Sequence, residues 1–373
     1  MKLNFDVALV SVLFTLAACT GNKTFVKVNV DNPSFTPDTL FASFEDLSSP
    51  KFADLKTKYQ LDTIFHGETD ELRRILLLRH WISKTIKIQN DGPYPGNGTP
   101  ESILDEALKG HGFHCGHYTA VQNAILNAYG YVTRCILADV GTPVDFIAGG
   151  GHHAINEVWL NSLHKWFLID AKYDCHFEKS GIPLSALEIR DEYFRNKAAD
   201  LEVVKGIDRV PATVFPELNY TPKENYARIY TWLSWGRYNN RYVNWPNTNT
   251  DLMVVYEDEY FKTHTWLWDG KPFWGYKPEL MRRVQDRKAI EWTPNTIQSN
   301  VSIQKDQATI DLTSATPNLQ TYQMKEPGGE WKDISKTVTV KLDKEKNEII
   351  FRTMNKAGVT GAEHRVLIEE SRG

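Results

Sequence analysis

Apolar positions follow a helical period in two parts of the N-terminal half of the chain. Between residues 71 and 87 they recur every three or four positions, and Thr69-Asp70 supplies a side chain that can cap the first turn. A second helical pattern starts at Cys115 and ends at Tyr129-Gly130, where a glycine suits a left-handed C-terminal position. The pattern predicts two buried amphipathic helices, with Cys115 at the start of the second.

Beyond the second helix the pattern changes to short apolar or alternating segments, which predict strands. Three of these are Val132 to Ala138, Ala154 to Leu160 and Trp166 to Ile169. The last two are separated by residues 161–165, a connection short enough for a hairpin. A helical pattern of polar and apolar positions returns between residues 183 and 204.

The rest of the chain divides by composition. From Tyr230 to Tyr276, 14 of 47 residues are aromatic. These rings can form a core against the preceding domain, or an exposed platform that stacks on sugar rings. After Pro294, segments rich in Thr and Val alternate with turn signals such as Pro327-Gly328-Gly329, which predicts an antiparallel β-sandwich.

Composition restricts the class of protein. With 373 residues, 41% hydrophobic and 24% charged, the chain is typical of a soluble globular protein of two or three domains. Its 43 basic and 47 acidic residues give a formal net charge of -4. No nucleic-acid partner is therefore expected.

The N-terminus has the features of a targeting segment. Val7 to Ala18 is an apolar run of 12 residues, too short to span a bilayer, and it ends in Leu16-Ala17-Ala18-Cys19. This resembles a bacterial lipoprotein signal, in which the cysteine becomes the lipidated first residue. Thr20 stands where inner-membrane lipoproteins often have Asp, so an outer-membrane anchor in the cell envelope is favoured. The alternative is a chance cysteine in an ordinary secretion signal.

Three segments carry residue types that can perform chemistry together: they contain Cys115, His153 and Asp170. The unpaired N–H groups of a helix start and a nearby imidazolium both stabilise a thiolate. His153 can supply that imidazolium and exchange protons, and Asp170, on the next strand of the predicted hairpin, can orient its ring.

The same segments resemble the transglutaminase-like superfamily of papain-type cysteine enzymes. A Cys opens a helix of small residues, one strand reads His-Ala-x-x-Glu-Val, and a second ends Trp-x-Leu-x-Asp; the resemblance covers residues 61–188. It implies that Cys115 is the nucleophile, His153 the general acid and base, and Asp170 the orienting carboxylate. Two positions depart from the family pattern, since Ile155 replaces a usual Trp and Ala171 a usual Pro.

With this resemblance, the expected fold class is α+β: a papain-like core followed by an all-β domain. The expected division is a signal peptide at 1–18, a tether at 19–40, a catalytic domain at 41–205, an aromatic-rich extension packed on it at 206–294, and an immunoglobulin- or fibronectin-like sandwich at 295–373.

Several residues near the motifs leave alternatives open. His152 competes with His153 as the catalytic ring, although the motif selects His153. Candidates for the oxyanion site or cleft lining are Trp81, His114, His117 and His152. The many histidines also allow a zinc site, and His114 and His117 with His152 and His153 fit paired-ligand spacing loosely. However, neither Cys-x-x-Cys nor His-Glu-x-x-His is present and a metal would quench the Cys115 thiolate, so no metal or cofactor is expected. Cys135 is predicted to be an unreactive residue of the core. Cys175 is predicted to be either a thiol in a loop or the disulfide partner of Cys135.

The expected function is thiol-dependent acyl transfer, with water as the favoured acceptor and peptides, glycopeptides or cell-wall peptides as substrates. The alternative from a different class is a catalytically silent scaffold that binds a glycan or peptide. The sequence does not indicate an oligomeric state.

Overall fold

The computed structural model describes residues 24–143, 152–212, 223–244, 253–265, 267–268, 271–272 and 281–371. The predicted signal peptide and Cys19 lie outside the described residues, as do Trp245, Trp266 and Trp274. The α-helices are α1 (Lys51–Lys58), α2 (Glu71–Thr85), α3 (Pro100–Leu108), α4 (Cys115–Ala128), α5 (Ala186–Asn196), α6 (Lys223–Arg228), α7 (Glu259–Thr263) and α8 (Arg287–Ile290).

The described strands of three or more residues are β1 (Phe25–Val28), β2 (Thr133–Asp139), β3 (His152–Leu160), β4 (Lys165–Ile169), β5 (Cys175–Lys179), β6 (Glu202–Lys205), β7 (Trp232–Gly236), β8 (Met253–Tyr256), β9 (Met281–Val284), β10 (Ile297–Gln304), β11 (Gln307–Ser314), β12 (Leu319–Lys325), β13 (Lys332–Ile334), β14 (Thr337–Lys341), β15 (Lys346–Asn355) and β16 (His364–Glu370). Helices and strands thus alternate first, and strands dominate from β10 onward.

The two predicted helices are confirmed as α2 and α4. The side chain of Asp70 accepts a hydrogen bond from the Arg73 N–H at 2.8 Å and so caps α2. Gly130 follows α4 with φ of +78°, and an added Cβ would lie 2.7 Å from the Cβ of Ala357. Glycine is therefore required there both by the backbone conformation and by the close approach of the C-terminal domain.

A six-stranded sheet in the order β9-β8-β7-β2-β3-β4 forms the centre of the molecule. The predicted hairpin is confirmed: β3 and β4 are antiparallel, with Asn156 opposite Ile169. Because side chains alternate across a strand, Val158 and Ile169 face the core formed with α1 to α4, whereas Trp159 and Leu168 face a second core that includes α5 and α6. Helices thus cover both faces of this part of the sheet.

The central sheet does not end at residue 205, where the sequence suggested a boundary. Strand β7 pairs with β2, with Trp235 opposite Ile136, and β8 and β9 continue the sheet. The region 206–294 is therefore partly built into the same sheet instead of being only packed on it. Trp232 and Trp235 are buried, so for these two rings the core interpretation is correct.

The C-terminal region contains two sheets, β1-β16-β15-β12-β13 and β10-β11-β14, which share one hydrophobic core and are compatible with a sandwich. Strand β1 pairs with β16 from Phe25↔Glu370 to Val28↔Leu367. The expectation of a tether across residues 19–40 is thus wrong for residues 25–28, which close one edge of this sheet. Their four-residue length gave the sequence pattern too little periodicity to detect.

Candidate active site

Cys115 is the first residue of α4, so its sulfur lies beside the unpaired N–H groups of the helix start. The residue before it, His114, caps the helix, because its Nδ1 accepts the N–H of Gly116 at 3.0 Å. The thiol is half-buried and unpaired. Local sequence therefore puts an accessible thiol at a position that favours the thiolate.

His153 and Asp170 form a buried pair beside this thiol. The Nε2 of His153 lies 2.7 Å from Oδ2 of Asp170, and both side chains are at most 3% exposed. His153 also hydrogen-bonds Cys115. Since Nε2 is held by the carboxylate, Nδ1 is the nitrogen left to face the sulfur. The structure thus brings the three motif residues together as one hydrogen-bonded chain.

Strand periodicity explains how His153 and Asp170 meet. Residues at odd positions of β3 and even positions of β4 face the same side of the sheet, and the register places Asp170 diagonally across from His153. The carboxylate is then fixed by its own turn, because Oδ1 accepts the N–H groups of Lys172 at 2.8 Å and Tyr173 at 3.2 Å.

The electrostatics of the three groups favour a thiolate and an imidazolium. Burial raises the pKa of Cys115, but hydrogen bonds from His114 and His153, the charge of His153 and the N–H of Ala154 outweigh it and hold the pKa well below its ordinary value. Burial lowers the pKa of His153, but Asp170 and Cys115 raise it to about 9. Despite its burial, Asp170 has a lowered pKa because of His153, so the carboxylate is ionised.

Residues 59–171 match the family model of the transglutaminase-like superfamily, a range that contains Cys115, His153 and Asp170. This part of the chain is a transglutaminase-like domain. The match supports a papain-like, cysteine-based family of acyltransferases and hydrolases. No curated protein matches the chain.

Tyr226 is a fourth residue of the site, and the sequence did not predict it. The hydroxyl of Tyr226 donates to Oδ2 of Asp170 at 2.5 Å, and the thiol of Cys175 donates to that hydroxyl at 3.7 Å. Burial and the adjacent carboxylate raise the pKa of Tyr226 well above its ordinary value, so the hydroxyl keeps its proton. Tyr226 lies on α6, a short helix 56 residues beyond Asp170, and no motif links the two.

His152 and His153 occupy opposite faces of β3 in the domain. His153 is 3% exposed, whereas His152 is exposed and lies opposite Asp139 in the sheet. Only the ring of His153 is therefore placed between the thiol and Asp170.

The other cleft candidates differ in the groups that they contact. His114 hydrogen-bonds the sulfur, and its ring centroid is 4.1 Å from that of His117. Burial and His114 lower the pKa of His117 to about 4, so this ring is neutral. Trp81 packs against Tyr59 with ring centroids 6.5 Å apart, and its indole makes no hydrogen bond to the described part of the site.

The two remaining cysteines are both buried and unpaired. Burial raises the pKa of Cys135 on β2 and of Cys175 on β5. Cys175 is therefore neither a loop thiol nor the disulfide partner of Cys135. Neither thiol resembles Cys115 in its protonation.

The histidines that suggested a zinc alternative have other partners. His111 pairs with Glu106 at 2.9 Å, and His176 lies 2.7 Å from Glu178. Within the described ranges no three His, Cys, Asp or Glu side chains form a group that could hold a metal ion.

Proposed function

We propose that the transglutaminase-like domain catalyses acyl transfer from an amide through a thioester on Cys115, with water as the usual acceptor. The observation that carries the proposal is the buried chain from Cys115 through His153 to Asp170. A lowered thiol pKa beside an imidazole pKa of about 9 gives a nucleophile and a proton donor at the same neutral pH.

In the first half of the reaction, the Cys115 thiolate attacks the carbonyl carbon and the π electrons move to the carbonyl oxygen. Collapse of this intermediate breaks the C–N bond, and the leaving amine takes the proton from Nδ1 of His153. In the second half, neutral His153 accepts a proton from water as the water attacks the thioester. The acid product leaves, and the thiolate and imidazolium are restored.

The oxyanion of each intermediate needs hydrogen-bond donors. The N–H of Cys115 at the start of α4 is the first donor we propose. Of the side-chain candidates, His114 is supported best, because it already lies against the sulfur. Neither Trp81 nor His117 is among the described groups that hydrogen-bond Cys115. Burial lowers the pKa of His152 and the nearby charge of Cys115 opposes that change, so His152 also lies close to the thiol.

The substrates we propose are peptides, glycopeptides or cell-wall peptides. The direct test is to incubate the protein with such mixtures, quench with acid, and search the peptide that contains Cys115 for an added acyl mass. If water is the acceptor, the product is a free acid. If an amine is added to the mixture and is found in the product, the reaction is transamidation.

A silent binding scaffold is supported less well. Its glycan platform would need exposed aromatic faces, yet Trp232, Trp235 and Tyr230 are at most 3% exposed. A protein that only binds its ligand would also not need the ionised side chains of Cys115, His153 and Asp170.

Tyr226→Phe is expected to lower kcat about tenfold and to leave KM nearly unchanged, because it removes one charge-assisted hydrogen bond from Asp170 without altering the cleft. Tyr230→Phe is the matched control. Its ring lies 5.7 Å from that of Tyr226, and both rings are fully buried. Equal losses of kcat in the two variants would mean that packing, not orientation of Asp170, is responsible.

We propose that a lipid on Cys19 holds the enzyme at the cell envelope, at the outer membrane. In the described ranges no helix has the length and apolar character needed to cross a membrane. Cys19→Ser is expected to move the protein from membrane to soluble fractions, measured by fractionation and by incorporation of labelled fatty acid. Unchanged membrane association without the label would require another anchor.

A further inference from the structure

The turn that follows Asp170 holds two groups of the active site in place. Residues 170–175 close on themselves, because Asp170 and Cys175 exchange two backbone hydrogen bonds of 3.1 Å. Within the turn, Oδ1 of Asp170 accepts the N–H of Tyr173, whose ring centroid lies 5.3 Å from that of His153. The shape of this turn therefore sets where the carboxylate and the imidazole meet.

Asp174 connects the turn to α2. Its φ is +50°, a left-handed conformation that Asp and Asn adopt more readily than other residues with a side chain. Its carboxylate contacts two consecutive residues of α2: Oδ1 accepts the Nε–H of Arg79 at 2.9 Å, and Oδ2 lies 2.6 Å from Nδ1 of His80. The turn is thus held against the helix by an ion pair.

The guanidinium of Arg79 is fully buried and bonds to three groups. Besides Asp174, its Nη1 lies 2.7 Å from Nδ1 of His176, and its Nη2 donates to the carbonyl oxygen of Gly206 at 2.8 Å. Because a guanidinium only donates, Nδ1 of His176 accepts, and its Nε2 carries the proton towards Glu178 at 2.7 Å. Burial lowers the pKa of His176 to about 4, so this ring is neutral. Arg79 therefore fixes the end of the turn at two positions, 174 and 176.

We propose that Arg79 and Asp174 are positioning residues whose ion pair fixes the shape of the 170–175 turn. In that shape Asp170 keeps the ring of His153 aligned with the nucleophilic thiol. A hydrogen bond between charged groups depends on distance and angle, so a small displacement of the carboxylate weakens its hold on the ring. This proposal rests on the proposed function, because the alignment matters only if the thiolate–imidazolium pair is the nucleophile.

The test follows the pH dependence of Cys115 alkylation by iodoacetamide in Asp174→Asn, with labelling measured by peptide mass. Asparagine has the size of aspartate and also tolerates the left-handed conformation, so the change removes the charge and leaves the backbone as it is. With the turn loosened, the imidazolium of His153 stabilises the thiolate less. The acid midpoint of the labelling curve is therefore expected to rise by about one pH unit, a tenfold change in the acidity of the thiol.

The direction of the shift separates positioning from simple electrostatics. Removing a negative charge near the site, with no change of geometry, would stabilise the thiolate and move the midpoint to lower pH. Loss of alignment moves the midpoint to higher pH. An upward shift therefore identifies an effect that is transmitted through the geometry of the turn.

Two further variants complete the experiment. Arg79→Lys keeps the charge but lacks the planar fork, so it cannot bond to all three partners together, and it is expected to raise the midpoint as well. Asp258→Asn is the matched control, because Asp258 pairs with the mostly buried Arg190 at 2.6 Å and caps α7, outside the turn. Its midpoint should equal that of the wild type.

An unmoved or lowered midpoint in Asp174→Asn, or an equal rise in Asp258→Asn, would overturn the proposal. Should Asp174→Asn fail to fold, the midpoint of Arg79→Lys decides in the same way.

The two proposals fail in different ways in this experiment. If the wild type itself has its midpoint near pH 8.5, the thiol is not activated and the proposed function is lost. If the midpoint of the wild type is low but does not respond to Asp174→Asn, only the positioning role is lost.

Discussion

Replacing Cys115 by alanine is expected to abolish thioester formation and to reduce amide cleavage by about four orders of magnitude or more. The reason is that the other two thiols cannot substitute for it. Cys135 and Cys175 are buried, and their pKa values are raised by that burial. The measurement is the acyl mass on the peptide containing residue 115, together with product release.

The fold is expected to tolerate this change. The thiol is half-buried at a helix start, so the melting temperature should shift by no more than about 5 °C. Cys135→Ala is the matched control and should still form the adduct on Cys115. Cleavage that persists in Cys115→Ala, or an adduct found on another residue, would contradict a nucleophile at this position.

His153→Ala is expected to approach the loss seen with Cys115→Ala, because it removes both the imidazolium that stabilises the thiolate and the donor for the leaving amine. Asp170→Asn keeps the shape but loses the charge that lies 2.7 Å from Nε2. Its activity should fall by about 10²- to 10⁴-fold and remain measurable.

The two changes should be strongly non-additive, since without the ring of His153 the carboxylate has nothing to orient. His152→Ala is the control, because that side chain is exposed and lies on the face of β3 opposite to His153. Should His152→Ala be the severe variant and His153→Ala the mild one, the catalytic ring would be His152. Full activity in all three single variants would exclude the triad.

The sequence predicted those parts of the site that depend on local periodicity. Cys115 begins a helix whose apolar face and terminal glycine are both readable, and the meeting of His153 with Asp170 follows from period-two alternation in a hairpin. Each of these relations depends on residues close in sequence, where propensity and spacing carry information.

Relations across long sequence separations were not predictable in this way. Tyr226 reaches Asp170 only because β7 joins the central sheet and brings α6 with it, a pairing that no local pattern specifies. Strand β1 likewise finds its partner β16 from the other end of the chain. Such contacts depend on tertiary packing, which one sequence leaves open.

The central claim is that His153 holds Cys115 as a thiolate at neutral pH, and the pH dependence of Cys115 alkylation tests it most directly. The pKa of the thiol is lowered and that of the ring is raised to about 9, so the ion pair exists between these two values and is lost as the pH rises through the upper one. Iodoacetamide should therefore label Cys115 rapidly at about pH 6, whereas in His153→Ala the rate should rise only towards the ordinary thiol pKa of about 8.5. If wild type and His153→Ala instead share one labelling curve with its midpoint near pH 8.5, there is no thiolate–imidazolium pair, and the proposed mechanism is wrong.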